Sequence, residues 1–288
     1  MDRIEAHRKF YADLITTMAG VPNGRLTAAL AGTQRERFLG PGPWKIFVGG
    51  GYITTPTDDP AFLYQDVPVA LSEAQKINNG QPVLHAVCLA TLSPKDGDTV
   101  VHVGAGTGYY TALLARLIAP GGKVFAYEIE PALAEQAKTN LADMPNVTVC
   151  AQSATEGSLP DCDLLYVNAG ATAPLSIWLD ALRPGGKLLF PLTPDGPGGT
   201  PGAGGMLLIT RKPQENSKKE EEFDARFIMP VLFIPCVGAR DEETAKKLGE
   251  AFKRGDMKNV RSLRRNSSPD ETCWCAGNGW WLSTAAID

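Results

Sequence analysis

Gly104-Ala105-Gly106-Thr107-Gly108 follows the β-branched run TVVHVG (99–104) and precedes the apolar run YYTALLARLIA. Glycine there permits positive φ and close approach of a ligand to the main chain, and the helix that follows offers unpaired amides at its N-terminus. Tight strand-to-helix turns need glycine for purely structural reasons too, so context has to decide. A dinucleotide fingerprint, GxGxxG, would place its last glycine where this chain has Tyr109, which disfavours a dehydrogenase. Glu128 lies near the end of the next predicted strand, VFAYEIE (124–130), where a carboxylate can accept both hydroxyls of a ribose. Together they predict a nucleoside site, with helix capping by Glu128 and plain turn chemistry for the glycines as the simpler alternatives.

Such residues work only if strands and helices alternate around them. The sequence predicts helices at 109–119, 131–144 and 175–182, and strands at 99–104, 124–130, 147–151, 163–168 and 187–192, the last introduced by the turn Pro184-Gly185-Gly186. That order implies an α/β fold with a mostly parallel sheet, right-handed crossovers and ligands beyond the carboxyl ends of the strands, at Gly104, Glu128, the residues after Ala151, and Asn168. After Leu192 a Gly/Pro loop leads to MLLITR (206–211), a charged stretch and the apolar run FIMPVLFIPCVG, a pattern that fits an antiparallel edge. Residues 1 to about 45 read as helical, a turn-rich stretch reaches Pro60, AFLYQDVPVAL reads as extended, and NNGQPVLHAVCLATL turns into a buried helix. Residues 241–263 read as an exposed helix and CWCAGNGWWLSTA as a hairpin. The expected division is 1–60, an N-terminal helical and loop segment; 61–240, the ligand-binding domain; and 241–288, a C-terminal extension.

Composition narrows the function. The 288 residues are 43% hydrophobic and 21% charged with net charge −4, and no long block of like charge suggests a nucleic-acid partner. No apolar run approaches the roughly 18 residues of a membrane span, and the N-terminus lacks a signal-like apolar core, so a soluble cytoplasmic protein is expected. Six cysteines without CxxC spacing suggest neither a disulfide scaffold nor a metal site; Cys273 and Cys275 form a lone CxC without neighbouring ligands. Trp274, Trp280 and Trp281 either close the hairpin over the core or form an interface, in which case a homodimer is expected.

A glycine turn followed by an acid on the second strand is the pattern of class I S-adenosylmethionine-dependent methyltransferases. Within them, residues 20–240 resemble the protein-L-isoaspartate O-methyltransferase family. The resemblance is carried in order by RERFLG, LYQDVPVAL, NNGQPVLHAVCLATL, VVHVGAGTGYYTALLARL, YEIEPALAEQAKTNL, LRPGGKLLFPL, GGMLLITRK and FIMPVLFIPC. It implies a Rossmann-like three-layer sandwich and S-adenosyl-L-methionine as cofactor. It puts Gly104, Ala105, Gly106, Gly108 and Tyr109 at the methionine part, Glu128 and Ile129 at the ribose side, and Ser153, Ala154 and Asn168 along the same site. His85 stands where the family often has a cofactor-contacting His; from its apolar helix alone, a core histidine is an equal reading. Tyr64, Asp66, Asn79 and Gly80 fall on the acceptor side. The chain departs from the family twice. Gly80 replaces the Ser whose hydroxyl helps orient an isoaspartyl carboxylate, which puts isoaspartyl repair in doubt, and Gln152-Ser153-Ala154 replaces a Gly-Asp-Gly.

A carboxylate acceptor is ionised at neutral pH and needs no general base, so the lack of an obvious base favours carboxyl methylation of a peptide, protein or small acid. O- or N-methylation of a small metabolite, with His85 or Asp66 as base, is the alternative enzymatic reading. A silent adenosyl-binding interaction module is the alternative from another class.

Overall fold

The computed structural model describes residues 2–21, 24–196, 200–213 and 222–287. The chain forms two compact units, one of Met1–Thr99 with Ala105–Gln152 and one of Val100–Gly104 with Ser153–Asp288.

The first unit opens with α1 (Arg3–Met18) and α2 (Gly24–Gly32), whose apolar positions bury Tyr11, Ile15, Leu26 and Leu30. A 3₁₀ turn at Arg35–Phe38 follows. The stretch expected to be turns then forms a hairpin, β1 (Lys45–Val48) against β2 (Gly51–Thr54), because Gly49 and Gly50 at φ +62° and +90° let two β-rich runs fold back. AFLYQDVPVAL is less extended than its composition suggests. A 3₁₀ turn takes Pro60–Leu63, Val69 makes a single antiparallel bridge to Ile46 of β1, and β3 (Ala70–Ser72) pairs with β4 (Ile77–Asn78). Leu39, Trp44, Ile46, Leu63 and Val69 bury one another and anchor this segment.

Next come α3 (Pro82–Leu92), with proline at its first position, and β5 (Thr99–Val103), which leads into the second unit. The first unit resumes with α4 (Tyr109–Leu117), β6 (Lys123–Tyr127), α5 (Pro131–Asn140) and β7 (Val147–Cys150); β6 and β7 pair in parallel.

In the second unit β8 (Cys162–Val167) lies parallel to β5, and β9 (Leu182–Leu192) parallel to β8. α6 (Ser176–Asp180) connects the latter two. Buried on both faces, β5 and β8 read as continuous apolar runs rather than alternating ones. The sheet continues antiparallel through β10 (Gly204–Arg211) and β11 (Phe223–Val231), as the change of pattern after Leu192 implied. Several boundaries differ from expectation: α5 stops at Asn140 and β6 at Tyr127, short of 144 and 130. Pro184-Gly185-Gly186 lies within β9 instead of preceding it. β11 begins in the charged stretch because Phe223 and Ala225 point inward while Asp224 and Arg226 stay exposed, and it stops at Val231. The helix expected over 241–263 is shorter: α7 (Glu242–Arg254), capped by Asp241, ends at Gly255.

The residues beyond form β12 (Ser262–Arg265), β13 (Cys273–Gly277) and β14 (Trp280–Ser283), in the spatial order β11-β12-β14-β13. Trp274, Trp280 and Trp281 are all buried, so the hairpin closes over a core. No helix among the described residues is long and apolar enough to cross a membrane.

Candidate active site

A hydrogen bond joins the glycine turn to Glu128. Gly104, Gly106 and Gly108 hold φ of +74°, +56° and +98°. At Gly108 a Cβ would also lie 2.7 Å from Leu141, so no other residue fits without displacement. Glu128, buried just past β6, accepts from the Gly106 amide at 2.7 Å and the Glu130 amide at 2.9 Å. Burial pushes its pKa up, and the amides only partly oppose that. Thr107 ties the turn down: its hydroxyl donates to Phe38 O, and its carbonyl accepts from Asn140. Ala105 and Tyr109 are buried, whereas Ile129 is exposed beside Glu128.

A second cluster in the same unit gathers Tyr64, Asp66, Asn79, Gly80 and His85. Both carboxylate oxygens of Asp66 are engaged, one by the Val83 amide (2.7 Å) in the first turn of α3 and one by Gln81 Nε2 (2.6 Å). Asp66 therefore fixes the start of α3. Asn79 exchanges bonds with Val69, its Oδ1 accepting from the Val69 amide at 2.7 Å, while its buried Nδ2 has no protein partner. Gly80, at φ +75°, is held by Asn78 Oδ1 and lies against the His85 ring, which stacks on Tyr110 at 3.6 Å. Tyr64 donates to Glu36, and burial together with that acceptor raises its pKa.

Arg35, missed in the sequence, organises this cluster. Fully buried, its guanidinium donates to the carbonyls of Leu63, Gln65 and Val67, fixing the backbone that presents Tyr64 and Asp66. The rings of Tyr11 and Tyr109 flank it at 5.8 and 6.0 Å. Its only signal was its place in RERF.

In the second unit, Ser153 Oγ is taken up in a local turn with Thr155, and Ala154 O accepts from Trp178 Nε1 at 2.8 Å. Asn168 extends the β5–β8 ladder through its amide to Val103 O (2.8 Å), and its side chain meets His102 Nε2 at 2.7 Å. His102 was also missed, although one polar residue inside TVVHV was a readable signal. No group of three or more metal-ligating side chains occurs among the described residues.

Parallel strands with a glycine turn after one and a buried acid after the next define the class of S-adenosylmethionine-dependent methyltransferases. A sequence profile described as Protein-L-isoaspartate(D-aspartate) O-methyltransferase (PCMT) matches residues 52–241. The protein-L-isoaspartate O-methyltransferase of Aeropyrum pernix is 31% identical over 192 residues, 65% of this chain and 68% of that protein. A solved protein-L-isoaspartate O-methyltransferase has the same fold, with a TM-score of 0.63 at 20% identity over 90% of this chain and 72% of that one. A Plasmodium falciparum structure described as a putative member, in complex with S-adenosyl-L-homocysteine, gives 0.60 at 16% identity over 80% and 98%. The chain belongs to the protein-L-isoaspartate O-methyltransferase family.

Proposed function

We propose that this methyltransferase esterifies a carboxylate of a peptide, protein or small acid in the cytoplasm. The observation that carries the reading is Glu128, a buried carboxylate clamped by the Gly106 amide and suited to a ribose diol. The residues of the first unit fit S-adenosyl-L-methionine: Ala105, Gly106, Gly108 and Tyr109 for its methionine end, Glu128 for the ribose, exposed Ile129 for the flat base, and His85 as a further contact. When bound, the cofactor supplies a sulfonium methyl group, which a carboxylate oxygen takes to give a methyl ester and S-adenosylhomocysteine. The methyltransferase domain of this reading is 61–240, with 1–60 and 241–288 as additions to it.

The acceptor side supports a carboxylate over a hydroxyl or amine. Asp66 has both oxygens committed and is not a free base. Tyr64 already donates its hydroxyl to Glu36, and burial with that acceptor raises its pKa further from the range of a base. An acceptor already ionised needs neither, only alignment and exclusion of water, which positioning by Asn79, the Gly80 backbone and Tyr64 can supply. The isoaspartyl carboxylate named in the relatives' descriptions is the narrower acceptor, and the missing hydroxyl at position 80 weighs against it.

Incubation of the purified protein with methyl-labelled cofactor and matched isoaspartyl, aspartyl and small-acid acceptors tests this. Base-labile label on an acid acceptor supports the reading. Base-stable label on hydroxyls or amines only would reject it in favour of metabolite O- or N-methylation. Label on other acids with none on isoaspartyl peptide would reject repair alone.

A further inference from the structure

Four exposed large apolar side chains share one hairpin: Phe47 (40% exposed) and Val48 (45%) of β1, and Tyr52 (41%) and Ile53 (53%) of β2. Phe47 and Tyr52 face each other across the strands, edge to ring, at 5.2 Å. A cluster of this kind left uncovered marks a place where something binds. The main chain of the hairpin is open as well. Phe47 pairs with Tyr52 and Lys45 with Thr54. Thr55 N–H bonds Trp44 O, and Phe47 N–H turns away from β2 to Pro68 O. The alternation of an antiparallel ladder then aims the N–H and C=O groups of Tyr52 and Thr54 away from β1. No third strand takes them among the described residues, and all four residues of β2 are exposed. Edge strands are ordinarily guarded by charge, proline or a bulge, and Gly51-Tyr52-Ile53-Thr54 has none of these.

Two links join this hairpin to the acceptor side, both inside the first unit. Ile46 bridges to Val69, whose amide and carbonyl both bond Asn79. Two residues further on, Leu71 lies against the glycine turn, where a Cβ on Gly106 would be 3.1 Å from its Cδ1. With strands about 4.8 Å apart, a strand added to β2 would run about 15 Å from Val69, a gap that about five extended residues span. A small acid cannot bridge that gap, whereas a polypeptide can.

We propose that the free edge of β2 is a docking surface for the acceptor polypeptide, which adds to it as an extended strand several residues away from the carboxylate that is methylated. The inference rests on the carboxylate reading above and narrows it to polypeptide acceptors. Main-chain bonds to Tyr52 and Thr54 make the recognition tolerant of sequence. Phe47 and Tyr52 on one face, with Val48 and Ile53 on the other, favour uncharged β-branched or aromatic side chains in the added strand. A second copy of this chain fits the edge less well, because a stable interface uses about 20–30 residues a side and β2 offers four.

Methyl-transfer kinetics with acceptors of two lengths test it: a tripeptide with a central aspartyl or isoaspartyl residue, and a peptide of about fourteen residues with the same centre in a Val/Thr-rich sequence. A third probe is the long peptide with its flanking amides N-methylated, which cannot pair as a strand. In the wild type, kcat/KM is expected to favour the long peptide by about tenfold or more, the scale of two or so main-chain hydrogen bonds, and N-methylation should return it to the tripeptide level. Tyr52→Pro removes one outward N–H and leaves the β1–β2 bonds in place. It should cut the advantage of the long peptide at least about fivefold through KM, with the tripeptide kinetics and S-adenosylhomocysteine affinity unchanged, and Tyr52→Phe should keep the advantage. Equal kcat/KM for the two lengths, or no effect of N-methylation, overturns the inference and leaves carboxyl methylation standing, even if Tyr52→Pro fails to fold. Label on small acids with none on either peptide does the same. If no acid is labelled, the carboxylate reading falls and this inference with it. A dimer in sedimentation that Tyr52→Pro dissociates would overturn the inference in favour of a second copy, and co-sedimentation with phosphatidylcholine vesicles without any length preference would do so in favour of a lipid surface.

Discussion

A Cβ built on Gly80 would lie 2.1 Å from Nε2 of His85, so the two positions compete for one volume. The space available to a side chain at position 80 is filled from the other direction by an imidazole stacked on Tyr110. Gly80→Ser combines overpacking with a left-handed backbone and is expected to cost about 2–4 kcal/mol. Measured against His85→Ala alone, the double variant Gly80→Ser/His85→Ala should lose only the backbone part, which urea unfolding of both single variants and the double variant would measure.

Glu128 sets a pH dependence for cofactor binding. Ribose hydroxyls donate to the ionised carboxylate, and burial raises its pKa, so affinity should fall on the acid side with a midpoint above the ordinary value of about 4.3. The sign for the ligand-free fold is opposite. A raised pKa means that the folded chain holds this proton more tightly than the unfolded one, so the contribution of Glu128 to stability declines as pH rises from the ordinary value through the raised one. Titration calorimetry with S-adenosylhomocysteine across pH should show the acid limb in the wild type. In Glu128→Gln the limb should vanish, with affinity lower by at least about tenfold at neutral pH.

Arg35 is worth more to the fold than to any charge balance. Arg35→Leu strands the carbonyls of Leu63, Gln65 and Val67 and is expected to destabilise by at least about 2 kcal/mol. Arg35→Lys should not restore it, because an ammonium cannot span three acceptors with a planar fork. Denaturant midpoints of the two variants provide the check, and full recovery in the lysine variant would contradict the account.

Trp274 packs edge-on against Phe227 at 5.2 Å and Phe252 at 5.1 Å, and its indole donates to Gly255 O at 3.1 Å. Trp274→Ala is expected to cost about 3–5 kcal/mol in stability. None of its partners is a proposed cofactor contact, so S-adenosylhomocysteine affinity of the folded fraction should stay at the wild-type value. A variant of normal stability with impaired binding would reverse that assignment.

The glycine turn, Glu128 and the parallel strands were legible because each has a local signature: a β-branched run, a turn residue, then helical spacing. β11 was misplaced for an equally local reason, since alternating Phe223, Asp224, Ala225 and Arg226 read as a charged stretch when only net polarity is weighed. The hairpin of Phe47 and Tyr52 was hidden by flanking glycines and prolines that suggest loop. The competition between Gly80 and His85, the Arg35 bonds to three carbonyls, and the His102–Asn168 bond all join residues whose proximity is created by the fold, with no periodicity to announce it.

The extension past the matched region has a further consequence. β11 pairs with β12 through Phe223–Leu263 and Asp224–Ser262, and Val260, Leu263 and Leu282 are almost wholly buried. The exposed link at Asp256 and Lys258 carries none of that burial. A single nick there should release no fragment under native conditions: the two pieces should co-elute in gel filtration and separate only in denaturant. Covalent continuity and structural membership part company at this link, and the last strands belong to the sheet by their packing rather than by their tether.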